Sequence, residues 1–198
     1  MDLLSGLGDI AVVAPASIAV FVALVWLGAR RAAAAFAVAI VAAIALALAA
    51  KLALAVCGLG ASRFAVESPS GHAALGSTFW GAVAAIVAGG RRRRERLAIY
   101  GAAACVAVAI AYSRVALGAH TVAEVVCGLT IGAAATALFV ALRGPPRRLS
   151  LTPQLAARTT PIAGLLALDL AIFANRWTAE AFIARLAATL GVTLNLCS

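Results

Sequence analysis

Apolar stretches about as long as a bilayer is thick, three of them closed by clusters of arginine, constrain this chain more than anything else in it. The first runs from Ala11 to Ala29, and Arg30 and Arg31 close it. The second runs from Ala32 to Gly58 and carries one charge, Lys51. A third opens at Pro69-Ser70-Gly71-His72 and ends at Gly89-Gly90, ahead of Arg91, Arg92, Arg93, Arg94, Glu95 and Arg96. Leu97 to Tyr112 is the fourth, and Thr121 to Leu142, followed by Arg143, Arg147 and Arg148, is the fifth. A helix needs ~20 apolar residues to cross a bilayer core. The chain is 65% hydrophobic and only 12% charged, whereas soluble domains are nearer half and a quarter. An integral membrane protein follows. Because lipid offers no hydrogen bonds to an open backbone, the fold class is an all-α helical bundle.

Beyond Pro145 and Pro146 the pattern is less regular. A polar linker reaches Thr160, and a sixth span from about Pro161 is followed by an amphipathic helix from Thr178, together about 161–194. One long tilted helix is the alternative there. The expectation is about six transmembrane helices in a single domain, 1–198. No positive region precedes the first apolar run, so a cleaved signal peptide is not expected.

A net charge of +9 would suggest nucleic acid as partner in a soluble protein. Here the arginines cluster between apolar runs, so they set membrane orientation instead, and no nucleic-acid partner is expected. The clusters at 30–31, 91–96 and 143–148 are two spans apart, hence on one face, which the positive-inside rule makes cytoplasmic. The other face then receives Lys51, Arg63, the Pro-Ser-Gly-His stretch, Arg114 and His120. Cys105 and Cys127 lie inside apolar runs without metal-ligand spacing and are expected as small packing residues.

This convergence carries chemistry. Pro69, Ser70 and Gly71 suit a helix start, where early N–H groups lack intrahelical partners and attract anions, phosphate above all. Ser70 and Gly71 leave those groups uncovered, and His72 sits about a turn in. Lys51 lies roughly 10 Å below the end of its span at 1.5 Å per residue; a lysine there is a functional candidate, snorkelling to the interface being the alternative. His120 and Glu124 are four apart and share a helix face, so the carboxylate holds one ring nitrogen and leaves the other free. A buried His–Glu pair without chemistry is the plainer reading. The chain's two histidines both fall at this end, with Lys51, Arg63 and Arg114. That set suits a phosphate dianion: cations clamp its oxygens, one histidine attacks, the other protonates the leaving oxygen. Carboxylates are too few for a two-metal cluster and two histidines do not complete a zinc site, so no metal and no cofactor are expected.

These residues resemble the type 2 phosphatidic acid phosphatases, a family with many bacterial membrane lipid phosphatases. Its second motif, Pro-Ser-Gly-His, stands unchanged at Pro69 to His72. Its third, Ser-Arg, five residues, His, three residues, Asp, reads Ser113, Arg114, His120 and Glu124, with Glu for Asp. Its first, Lys, six residues, Arg-Pro, is degraded: Arg63 follows Lys51 at twice the distance, with no proline after it. The resemblance covers about 51–130. It implies a metal-independent phosphatase in which His120 is the nucleophile oriented by Glu124, and His72 is the acid that later activates water. Ser70, Gly71, Arg114, Lys51 and Arg63 would bind phosphate, although a rim arginine meeting lipid headgroups is the other reading of Arg63.

The function expected is hydrolysis of a lipid phosphate or isoprenyl diphosphate in a bacterial inner membrane, with the site facing outward. A lipid phosphotransferase on the same scaffold is the alternative, as is a non-catalytic channel or carrier subunit. Phosphate release by purified protein separates them.

Overall fold

The structure, a computed structural model, describes residues 2–57 and 68–145. Among the described residues there are six helices and no strand. They are α1 (Asp2–Gly6), α2 (Ile10–Trp26), α3 (Arg30–Cys57), α4 (Gly71–Val87), α5 (Arg93–Ala116) and α6 (Val122–Leu142). Each apolar run described is a helix. α3, α5 and α6 are long and apolar enough to cross a membrane, while α2 and α4 are apolar but shorter, at 17 residues each. At 1.5 Å per residue those two still extend about 25 Å. Arg63, the sixth span and the amphipathic helix expected over 161–194 lie outside the described residues.

Two features differ from the pattern of apolar runs. The short helix α1 precedes the first run. Helix α5 begins at Arg93, inside the arginine cluster, and continues through Ser113 and Arg114. Arginine is a good helix former, and Glu95 in the first turn faces the positive end of the helix dipole. Arg114 in the last turn faces the negative end.

Side-chain size is graded along the bundle. Toward the arginine end, Phe36 of α3 stands edge-on to Phe79 of α4 and Phe139 of α6, with ring centroids 6.3 and 6.2 Å away. At that end Arg31 Nε donates to the Leu142 carbonyl at 2.9 Å and Arg143 donates to the Ala85 carbonyl, tying α3, α4 and α6. Toward the other end the buried cluster is small: Ala73, Ala111 and Val125. Small residues let helix backbones approach closely. The tightest approach is α4 on α6. A Cβ on Gly128 would collide with the Ser70 carbonyl and Ala73, and one on Gly132 with Ser77 and the Ala74 carbonyl. This Gly-x-x-x-Gly face brings the start of α4 against the start of α6. Cys105, expected as a packing residue, is exposed on α5, so its contribution to helix packing is not the one anticipated.

Candidate active site

The site grows from helix ends. Ser70 is the N-cap of α4, fully buried, with its Oγ accepting from the Ala73 amide at 3.4 Å. It therefore covers one of the amides that the sequence left open, because an N-cap hydroxyl is the natural acceptor for the third residue of a helix. Gly71 and His72 are the first two residues of α4, so the histidine is at the helix mouth and not a turn inside.

The link between α5 and α6 is set by two end motifs in succession. Gly118, at φ +65°, follows the C-cap Leu117. The Gly118 amide donates to the Val115 carbonyl at 2.9 Å and the Ala119 amide to the Arg114 carbonyl at 3.0 Å. This is the Schellman closure, and only glycine takes its left-handed position without cost. Thr121 then caps α6, its Oγ1 accepting from the Glu124 amide at 3.3 Å while Glu124 Oε2 accepts from the Thr121 amide at 3.0 Å. That reciprocal pair is a capping box. One helix-stop motif after Arg114 and one helix-start motif from Thr121 thus set the turn, with His120 between them, just ahead of α6.

Glu124 does more than cap. Its Oε2 stands 3.0 Å from His120 Nδ1, and its Oε1 accepts from the Ser68 amide at 2.8 Å. Its carbonyl accepts from the Ser70 amide at 3.1 Å. The side chains of His120 and Glu124 are 8% and 7% exposed, so water competes little for this pair. A carboxylate on Nδ1 fixes the ring tautomer and leaves Nε2 as the nitrogen with a lone pair to offer. Lys51, 5% exposed, enters from α3: a Cβ placed on Gly71 would lie 4.0 Å from Lys51 Cε. Arg114 donates from Nη1 to Ser5 Oγ at 2.8 Å, and its buried Nε makes no hydrogen bond among the described residues. The described fold therefore brings Lys51, Ser70, Gly71, His72, Arg114, His120 and Glu124 to one end of the bundle.

One charged residue at this end went unread in the sequence. Asp9, N-cap of α2, accepts from the Ala11 amide through Oδ1 at 2.8 Å and meets His72 Nε2 through Oδ2 at 3.1 Å. The hydrogen bond from His72 holds its carboxyl below the usual value of 3.8, against partial burial, with further help from the Ala11 amide and the Arg114 charge. An aspartate just before an apolar run is an N-cap signal. Its place on the same face as both histidines was the clue available.

Residues 57–148 match the sequence model of the PAP2 superfamily. The family resemblance carried by the second and third motifs is borne out over that stretch. The chain is also similar to a Klebsiella pneumoniae protein described as an uncharacterized 22.5 kDa protein in cps region, 34% identical over 90 residues. That match spans 43% of this chain and 41% of the relative. No solved structure gives a significant match. The PAP2 superfamily is in general one of phosphatases, and three helices of this chain are long and apolar enough to cross a membrane.

Proposed function

We propose that the protein is a membrane phosphatase that hydrolyses a lipid phosphate or isoprenyl diphosphate through a phosphohistidine. The observation that carries this reading is the buried His120–Glu124 pair beside the mouth of α4, where His72 stands. His120 Nε2 attacks phosphorus in line with the leaving oxygen, forming the P–N bond as the P–O bond to the lipid breaks. Glu124 offsets the positive charge that develops on the His120 ring. His72 gives its proton to the departing lipid oxygen. In the second half, water attacks phosphorus, its proton passes to His72, and the P–N bond breaks to release phosphate. Lys51, Arg114 and the Gly71 amide hold the phosphate oxygens, acting on charge where it develops. Ser70 supports them as the cap that fixes the helix mouth. Arg63 joins the clamp on the strength of the degraded first motif alone. The lipid tail stays among the helices, and the site faces the periplasmic side of a bacterial inner membrane.

The test is phosphate release by the purified protein in detergent, with chelator present, on phosphatidate, phosphatidylglycerol phosphate and a polyprenyl diphosphate. Release from at least one, and acid-labile labelling of wild type but not of His120→Ala by a phosphate-labelled lipid, is the expected result. Vanadate inhibits, because it mimics five-coordinate phosphorus. Activity that chelator removes and magnesium restores would overturn the mechanism.

A further inference from the structure

The mechanism uses two histidines, and one, His120, has its carboxylate partner four residues on, in the first turn of α6. The other's partner comes from a part of the chain that the family match, beginning at residue 57, does not include. We propose that Asp9 is the positioning residue for His72, so that the N-terminal segment completes the site. The inference rests on the phosphatase reading above and deepens it.

The two pairs are built alike. In each, one carboxylate caps a helix and holds a ring nitrogen at the same time. Glu124 completes the capping box of α6 by accepting from the Thr121 amide and takes Nδ1 of His120; Asp9 is itself the N-cap of α2 and takes Nε2 of His72. Capping fixes the carboxylate, and the fixed carboxylate fixes the ring. Which nitrogen of an imidazole is available follows from the bond made by the other. His120 therefore presents Nε2 and His72 presents Nδ1, and it is Nδ1 that passes a proton to the leaving oxygen and takes one back from water.

Asp9 is also held as a part of the wall and not as a strap. Trp80 Nε1 of α4 donates to the Leu7 carbonyl at 3.2 Å. Gly8 is sunk between α4 and α5: a Cβ there would lie 2.6 Å from the His72 carbonyl oxygen and 2.8 Å from Ile110 Cγ2. A Cβ on Gly76 would meet Ile110 and Gly8 in turn, at 2.8 and 3.1 Å. Arg114 Nη1 on Ser5 pins the same segment to α5. The other charged or titratable groups that the packed elements bring to this end are Lys51 from α3, Arg114 from α5, His120 from the link between α5 and α6, and Glu124 from α6. Arg114 helps keep Asp9 ionised, and Asp9 is the carboxylate in contact with His72 among the described residues.

The experiment uses the full chain in detergent with Asp9→Ser and Asp9→Asn. Serine and asparagine cap helices about as well as aspartate, but serine is too short to reach the ring and asparagine carries no charge. Turnover is measured on two monoesters: dodecyl phosphate, whose alkoxide needs a proton, and the phosphate of a ring-dodecylated nitrophenol, whose phenolate does not. General acid catalysis is worth about 10²–10⁴, so losing the positioner of the acid is expected to cut kcat on the alkyl ester roughly 10- to 100-fold, with KM within about threefold and the aryl ester barely affected. Nitrogen-15 spectra of the two ring systems, assigned with His120→Gln, read the tautomer directly: the neutral His72 ring carries its hydrogen on Nε2 in wild type and loses that preference in Asp9→Ser. Equal losses on both esters, a gain in activity, or an unchanged His72 tautomer would each overturn the inference. If wild type releases no phosphate from either ester, the phosphatase reading fails, and the tautomer alone decides whether Asp9 positions His72.

Discussion

At the residue scale the most informative side chain is Glu124, because its oxygens face donors. Oε1 accepts from the Ser68 amide, and Oε2 accepts from the Thr121 amide and stands against His120 Nδ1. Glu124→Gln places an NH₂ where an oxygen was, so a donor must face a donor. The carboxylate charge that supports a cationic His120 also goes. Turnover is expected to fall by a factor on the order of 10²–10⁴, the scale seen when a triad aspartate becomes an amide. Thermal unfolding in detergent is expected to show a loss of about 1–3 kcal/mol for the stranded donor. Glu124→Asp keeps the charge but is a methylene short of the capping-box reach, so it retains measurable activity with a weakened start to α6. Wild-type turnover in a folded Glu124→Gln protein would reduce the residue to a structural cap. Asp9 gives a second test, in pH. Its carboxyl value is depressed in the fold, so its contribution to stability is fully present above the unfolded value of 3.8 and is lost as pH falls through the lower folded value. The stability gap between wild type and Asp9→Asn is therefore expected to be flat near neutrality and to close only under strongly acid conditions, as read by detergent melting curves. A gap that persists unchanged into strong acid would contradict a depressed, ionised Asp9.

At the element scale, the site exists because two helices start side by side. Gly128 and Gly132 let α6 lie against α4 so closely that the Ser70 amide reaches the Glu124 carbonyl. A leucine at 128 pushes directly on the backbone that carries Pro69, Ser70 and Gly71. Overpacking of this kind costs typically about 1–3 kcal/mol, and Gly128→Leu is expected to lower both the melting temperature and turnover. Cys105→Leu, on an exposed face of α5, is expected to change neither. If Gly128→Leu keeps full activity, α4 and α6 do not need this contact to hold the site. What the sequence made legible at this scale follows from period and spacing. Apolar runs between arginines announce helices, because hydropathy alone places them. The step of four from His120 to Glu124 announces that the two meet, but not by a shared helix face: α6 starts at Val122, His120 lies ahead of its cap Thr121, and the capping box carries the Glu124 carboxylate back to the ring. The contact of Asp9 with His72 was illegible for the opposite reason: 63 residues separate them, and only tertiary packing through Gly8, Gly76 and Ile110 joins them. The Ser70 cap was available from the residue type, but Ser70 was read for its anion and not for its own helix. Helix α1 is five residues long, below what any periodicity can register.

At the scale of the whole molecule, two chemically different ends face opposite sides of one apolar slab. One end gathers Arg31, the 91–96 cluster and Arg143, with Arg31 and Arg143 spent on helix carbonyls. The other gathers two histidine–carboxylate pairs, with Lys51 and Arg114 beside them. An arginine excess held next to apolar spans resists translocation, so the first end is expected in the cytoplasm and the second outside. The prediction can be checked in cells. With the four native cysteines replaced by alanine, a single cysteine is introduced at Ala119, in the link between α5 and α6, or at Arg92, between α4 and α5. A membrane-impermeant maleimide added to intact cells is expected to label the first and spare the second, and permeabilised cells are expected to label both. The reverse pattern would place the histidines in the cytoplasm. For the proposed phosphatase, a substrate phosphate would then have to be presented from the inner leaflet, and a pool of lipid phosphate on the outer leaflet would be out of its reach.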